Sequence, residues 1–348
     1  MEFLLDPEAV YLNHGSYGAC PAPVFDRYQE LQRELERNPS EFLGRRFDSL
    51  MAEARAALAG FVGARSEDLV FVPNATAGMN AVIRSLSLGP DDEVLTTRHE
   101  YGAVTRTWAF VGAKLAYAEP DELASAIGPR TKVVSFSHIT SSTALVLPAE
   151  EICAAAREAG VLSIVDGAHA PGQLPLDLER LGADVYTGNC HKWLCAPKGA
   201  GFLWARPEHQ RWIAPTVISW GYGAETSFAE RHGWQGTRDP AAELTVPAAI
   251  EAHGKLDLER CRRLAASFHD RLPPVKGTPA PQMWASELAV HDPKSLQRRL
   301  FEEHRIEVVV AEWEGKSLLR VSIAPYNESA DVERLLEALA EDGHALTG

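Results

Sequence analysis

A carboxylate and an amine each follow an apolar run in this chain, in Ser163-Ile-Val-Asp166-Gly-Ala-His169 and in Thr187-Gly-Asn-Cys-His191-Lys192-Trp193. Both runs have the composition of buried strands. Ligands of open α/β sheets bind beyond the carboxyl ends of the strands, so the two groups are placed to face one molecule. A lysine amine forms a Schiff base with an aldehyde, and a carboxylate keeps a pyridine nitrogen protonated so that the ring withdraws electrons. Pyridoxal 5′-phosphate (PLP) chemistry asks for that pair. Taken singly, Asp166 also reads as a helix cap at a strand end and Lys192 as a surface lysine. The small Ala168, beside which a ring can lie flat, and the adjacent His191 weigh toward the cofactor.

Such a cofactor carries a phosphate dianion, and Pro73-Asn74-Ala75-Thr76-Ala77-Gly78 offers donors for it. The stretch follows a strand and opens a helix, whose first backbone N–H groups at Ala75 and Thr76 suit an anion, with the Thr76 hydroxyl in support. Simple capping by Asn74 or Thr76 is the plainer reading. Further on, Leu318-Leu-Arg320-Val-Ser-Ile sets one arginine inside an apolar strand. A buried guanidinium needs an anionic partner, either a substrate carboxylate or a structural acid.

The elements that must position these groups alternate. From about residue 50, apolar runs exchange with amphipathic segments, which implies a mostly parallel sheet flanked by helices. Strands are expected at 69–73, 93–96, 132–137, 161–165, 183–187 and 201–205, with helices at 77–88, 102–111 and 149–159, the last closed by Gly160. Beyond about residue 240 the character changes. A long helix is expected from Glu243 to Leu256, then a proline-rich stretch, then strands near 284–290 and 318–323 alternating with helices at 293–303 and 331–341. The expected architecture is α/β: an N-terminal segment, 1–20, near the active site, a large domain, 21–242, with a mostly parallel sheet, and a smaller α+β domain, 243–348.

A chain of 348 residues exceeds the roughly 250–300 at which one core stops growing, in keeping with two domains. The formal net charge of −14 repels phosphodiester backbones and anionic membrane surfaces, which argues against nucleic acid and membrane as partners. A bound phosphate therefore depends on a local pocket of donors. Five cysteines without CxxC spacing suggest neither a disulfide framework nor a zinc site, and no metal is expected. Met1–Asp6 is acidic rather than basic, and no run reaches the ~18 apolar residues of a membrane span, so a cytoplasmic protein is expected.

Beyond these readings, the chain resembles the class V branch of the fold-type I PLP-dependent transferases. Tyr11-Leu-Asn-His-Gly-Ser-Tyr-Gly-Ala-Cys-Pro is similar to the N-terminal signature of the isopenicillin N epimerase-like group, and Gly188-Asn-Cys-His-Lys-Trp and Trp234-Gln-Gly-Thr-Arg-Asp-Pro match the same group. The likeness is weakest over residues 260–315, a region that is also short for the family. It implies PLP as cofactor, with Lys192 as the Schiff-base lysine, Asp166 on the pyridine nitrogen and His169 near the 3′-oxygen. It places Ala75, Thr76, Asn189 and His191 at the phosphate, Tyr101 over the ring with His99 two residues before it, and Arg320 on the α-carboxylate of an amino-acid substrate. Asn13 and His14 fall in the segment that lines the substrate entrance, and Ser137 to Ser141 at a strand end near the ring. Gly236-Thr237 resembles the motif through which the second subunit of a homodimer completes the phosphate site. Arg45 and Arg46 are open between an anionic substrate tail and a neighbouring helix.

The reaction expected from these residues begins with removal of an α-proton by Lys192, whose amine is made more acidic by a desolvated pocket. Proton return from the opposite face gives epimerisation, β-elimination gives a carbon–sulfur lyase, and proton return to the cofactor begins transamination. The resemblance favours an isopenicillin N epimerase-like enzyme. Its second acid would come from Tyr101, His14, His99 or another group. No cysteine lies between Cys261 and Arg320, which argues against a desulfurase that forms a persulfide on a thiol and leaves a sulfoxide-lyase type of elimination as the alternative. A PLP fold kept for binding without turnover is the reading from another class.

Overall fold

The computed structural model describes residues 1–341. Its strands are β1 (Val10–Tyr11), β2 (Leu69–Val72), β3 (Glu93–Thr96), β4 (Lys114–Tyr117), β5 (Thr131–Ser137), β6 (Leu162–Gly167), β7 (Val185–Asn189), β8 (Gly201–Ala205), β9 (Met283–Leu288), β10 (Ile306–Glu307), β11 (Val309–Trp313) and β12 (Lys316–Ser322). The large sheet has the order β2-β8-β7-β6-β5-β3-β4. It is parallel from β7 to β4, and β8 runs antiparallel to both its neighbours.

Strands β6, β7 and β8 are buried almost throughout, as strands covered by helices on both faces must be. Their alternation sorts the side chains into two layers. Phe71, Val134 and Val165 point to one face and pack with Met51, Leu58 and Val62 of the helix Phe47–Val62. Val72, Val133, Ile164 and Val185 point to the other and pack with Met79 and Val82 of the helix Ala75–Ser85 and with Trp108. Continued by two residues, this second face delivers Asp166 after Ile164 and Thr187 after Val185, both toward the helix Ala75–Ser85. Parallel registry then sets Ser137 beside Asp166 and Asp166 beside Thr187.

The smaller sheet, in the order β11-β12-β9, is antiparallel. One face, with Trp284, Leu288, Val310, Leu319 and Val321, packs on the helices Leu258–Ala266, Pro293–Glu302 and Ser329–Glu341. The N-terminal segment joins this body: β1 pairs with β10, and Val10 and Leu12 enter its core.

The long helix expected over 243–256 is two helices, Ala241–Leu244 and Val246–His253, with Pro247 in the first turn of the second, where a missing N–H costs least. Ala242, Val246 and Ala249 belong to the large core. Strand β4 escaped the sequence reading because it is an edge strand with little burial and no apolar run. No helix among the described residues is long and apolar enough to cross a membrane.

Candidate active site

Lys192 stands in the turn after β7, and the N-terminal segment clamps that turn. His14 Nε2 lies 3.0 Å from the Lys192 carbonyl oxygen, its Nδ1 lies 3.0 Å from the Tyr326 hydroxyl, and the Cys195 N–H donates to the same Lys192 carbonyl at 3.0 Å. Gly18, at φ 68°, presses so closely that an added Cβ would fall 1.8 Å from the His191 carbonyl oxygen. Only glycine takes both the left-handed backbone and that contact without displacement.

The lysine amine lies 3.1 Å from His169 Nε2, while the Trp193 indole N–H donates to His169 Nδ1 at 3.4 Å. That second bond makes Nδ1 an acceptor and leaves the imidazole proton on Nε2. Nε2–H therefore points at the amine, an arrangement that suits a neutral lysine. Burial, with the Arg320 cation adding to it, pushes Lys192 down to about 7, against the opposing pull of Asp166. His169 is likewise held well below its ordinary range by burial and by the neighbouring cations.

Asp166 is 4% exposed, and its carboxylate accepts the Ala168 N–H at 2.9 Å. Burial raises its pKa against the opposing effects of that amide and of Lys192. The groups meet in a cavity of about 340 Å³ lined by Thr76, Tyr101, Asp166, Ala168, His169 and Lys192. A second space, about 260 Å³, adjoins it and is lined by Tyr17, Ser141, Lys192 and Arg320 among others.

At the helix start, Asn74 Oδ1 accepts the Ala77 N–H at 2.9 Å, the expected capping role. The Ala75 N–H, expected as a phosphate donor, instead donates to Asn189 Oδ1 at 2.8 Å. Asn189 thus fastens the helix to β7, and its oxygen and the Ala75 amide are occupied with each other. Thr76 and His191 remain on the cavity wall, the imidazole pushed down to about 4, chiefly by burial.

Arg320 is 5% exposed and bonds only neutral acceptors: the Ser141 carbonyl at 2.7 Å, the Ser141 hydroxyl at 3.2 Å, the Ser16 hydroxyl at 2.7 Å and Asn13 Oδ1 at 3.5 Å. Its Nε has no partner, and no carboxylate among the described residues forms an ion pair with it. Among the described residues the structural acid that the sequence left open is therefore absent, and burial lowers the guanidinium pKa to about 10.

Other expectations change. His14 is fully buried behind Lys192 rather than at the entrance, and Asn13 is buried behind Ser16. Gly15, Ser16 and Tyr17 face the site in their place. His99 is buried, with Nδ1 at 2.8 Å from the Thr143 hydroxyl and its ring 4.6 Å from that of Trp313, so it does not reach the ring position. Ser137, Ile139 and Ser141 line the cavity, whereas His138 turns away to the Tyr186 hydroxyl at 2.9 Å. Arg45 and Arg46 pair with Glu41 and Glu34, their own neighbouring segments. Thr237 is exposed and does not line its own chain's cavity. A group the sequence reading passed over is Glu100, which accepts the Thr97 hydroxyl at 2.7 Å and the Ser137 hydroxyl at 2.6 Å. Burial raises it to about 7, and Asp166 adds to the rise. The signal was its place between His99 and Tyr101, opening the helix Gly102–Phe110.

PLP fits this donor set. An amine for the aldehyde and a buried carboxylate for the ring nitrogen line one cavity, with Ala168 leaving room for a flat ring. The Thr187 hydroxyl, one strand over from Asp166, is buried without a partner.

Residues 10–275 match the family described as Aminotransferase class-V. The chain is 39% identical to the isopenicillin N epimerase of Amycolatopsis lactamdurans, over 97% of this chain and 96% of that protein. It is 26% identical to the hercynylcysteine sulfoxide lyase of Schizosaccharomyces pombe (strain 972 / ATCC 24843), over 64% of this chain and 60% of that one. A solved structure of a C-DES mutant with glycine covalently linked to the PLP cofactor superposes with a TM-score of 0.82 at 25% identity, covering 96% of this chain and 97% of its own. With a family match over most of its length and end-to-end likeness to a relative, the chain belongs to the class-V aminotransferase family, and the protein is a PLP-dependent enzyme.

Proposed function

We propose that the protein is an isomerase of the isopenicillin N epimerase type, inverting the α-carbon of an amino-acid-derived substrate. The observation that carries this reading is a single space lined by Lys192, an amine with a pKa brought down to about 7, and by Arg320, an arginine without a counter-ion among the described residues, with Tyr17 and Tyr101 on its walls. Bound PLP supplies an electron-withdrawing ring that acidifies the substrate's Cα–H bond. Thr76 and His191 would hold its phosphate, Asp166 its ring nitrogen and His169 the region of its 3′-oxygen. Arg320 would take the α-carboxylate in its planar fork, preset by Ser16 and Ser141. Lys192, its pKa brought down to about 7 chiefly by burial, takes the α-proton in its neutral form, and His169 Nε2–H orients its lone pair. Tyr101 and Tyr17, 49% and 67% exposed, are the candidates to return a proton from the other face. His14 and His99 lack the access.

A carbon–sulfur lyase is the second reading, favoured by the likeness to hercynylcysteine sulfoxide lyase and to the cystine C-S lyase C-DES. In either case the active unit is a cytoplasmic homodimer in which Gly236-Thr237 of one copy completes the phosphate site of the other. Purified holoenzyme incubated with candidate amino acids in deuterated water tests the assignment. Deuterium at Cα with inverted configuration supports the isomerase, whereas keto acid with a sulfur product moves the protein to the lyases. Exchange that persists undiminished in Lys192→Ala overturns the role of the lysine.

A further inference from the structure

Tyr101 lines the cavity that holds Asp166 and Lys192, yet among the described residues its side chain has no hydrogen bond and no ring partner. Its place is set by the backbone on either side. After it, the helix Gly102–Phe110 is fixed to β5 by the buried Trp108, whose indole N–H donates to Ser135 Oγ at 3.3 Å. Before it, Glu100 accepts the Ser137 hydroxyl at 2.6 Å on one oxygen and the Thr97 hydroxyl at 2.7 Å on the other. Ser135 and Ser137 are two apart on β5 and so share a face, and Ser137 lies in register beside Asp166. The segment that carries Tyr101 is thus tied to one strand at two points, the second of them next to the buried carboxylate of the cavity. His99 and Arg98 hold the same segment elsewhere, through Nδ1 at 2.8 Å from the Thr143 hydroxyl and a carbonyl that accepts the Trp313 indole N–H at 3.2 Å.

We propose that Glu100 is a positioning residue of the active site: by bridging Thr97 and Ser137 it fixes the backbone of Tyr101 against the end of β5 and so sets where the Tyr101 ring stands over the cavity. This role rests on the reading that Tyr101 lies over the ring of bound PLP. For stability alone an acid is a poor choice at this point, because burial and Asp166 in the next strand both work against its charge. Its use lies in the bridge. A carboxylate presents two acceptors at a fixed separation, so one side chain can hold hydroxyls from two elements at once, with bonds of the short, charge-assisted kind. A protonated carboxyl keeps the same bridge, since a hydroxyl partner can accept as readily as it donates.

The test reconstitutes the parent protein, Glu100→Ala, Glu100→Gln, Tyr101→Ala and the double variant Glu100→Ala/Tyr101→Ala with PLP. It reads the Kd for PLP from visible absorbance, the circular dichroism of the same band, and the melting midpoint. Loss of the stacked ring in Tyr101→Ala should weaken PLP binding about three- to tenfold and change the dichroism. Glu100→Ala should reproduce most of both effects, and the double variant should fall within about twofold of Tyr101→Ala, because the two changes remove one interaction. Glu100→Gln should recover most of what Glu100→Ala loses, its amide accepting from one hydroxyl and donating to the other. Should Glu100→Ala fail to fold, Thr97→Val removes one of the two bonds at nearly constant volume, and its smaller loss should likewise vanish in the Tyr101→Ala background. Losses that multiply in the double variant overturn the proposal, as does a Glu100→Ala protein with a lowered midpoint but parental affinity and dichroism. Parental affinity and dichroism in Tyr101→Ala instead overturn the placement of Tyr101 over the ring, and the role of Glu100 falls with it.

Discussion

Arg320→Met separates the two meanings of a buried arginine. A structural arginine stabilises its fold and a ligand-binding one does not, so the variant should weaken carboxylate binding without weakening the protein. Burial lowers the guanidinium from 12.5 to about 10, and at ~1.4 kcal/mol per unit the folded chain spends on the order of 3 kcal/mol holding it charged. Both values lie above neutrality, so the whole cost is present at pH 7 and is relieved only as pH rises through 10 toward 12.5. Bonds to Ser16 and Ser141 offset part of it, and methionine fills a similar volume with no charge. The melting midpoint of the apoprotein should therefore hold or rise by a few degrees. Binding of amino acids, followed by their effect on holoenzyme absorbance, should weaken about 10²–10³-fold, the usual cost of truncating one partner of a buried charged pair. A midpoint lowered by more than about 5 °C with unchanged ligand binding would show the arginine to be structural.

Two further perturbations follow from the same geometry. Glu100 has a folded pKa of about 7 against an ordinary 4.5, so the folded chain retains a proton that the unfolded chain releases, and stability falls as pH climbs between those values by on the order of 3 kcal/mol. Glu100→Gln lacks this dependence, and its denaturant-measured stability should gain on the parent across that window and run level above it. Parallel profiles would place the carboxylate in water. Gly18→Ala must accommodate a φ of 68° and a Cβ 1.8 Å from the His191 carbonyl oxygen. Its loss of stability should exceed the ~1–2 kcal/mol of the left-handed backbone alone, with weaker PLP retention in dialysis; an unchanged midpoint would mean that the segment is not seated on the lysine turn.

The parallel sheet was legible because β5 to β7 are short runs carrying β-branched residues, and the sheet rule then located Asp166 and Lys192 at strand ends before any contact was known. What the sequence hid depends on direction rather than type. His14 and Tyr17 occupy one short helix, yet His14 is fully buried and Tyr17 is 67% exposed. Nothing in their identities sorts the support of the lysine turn from the wall of the cavity. Ala75 fell to the same limit. An anion-ready amide and an amide already bonded to Asn189 look alike until β7 is laid against the helix. Glu100 was hidden because its hydroxyl partners, Thr97 and Ser137, lie on different elements.

The electrostatics of the site make its ligands part of the fold's logic. The chain carries a formal charge of −14, yet the cavity holds the buried cation of Arg320 with no acid among the described residues to answer it, and a lysine whose pKa is lowered to about 7 by burial and in part by that cation. A substrate carboxylate on Arg320 would cancel the charge that depresses Lys192, raising the lysine's basicity as the α-carbon arrives within its reach. Binding and proton removal are then coupled through a single arginine. Such a role is consistent with the hydroxyl and carbonyl oxygens that hold Arg320, which orient its fork and leave its charge without an opposing one.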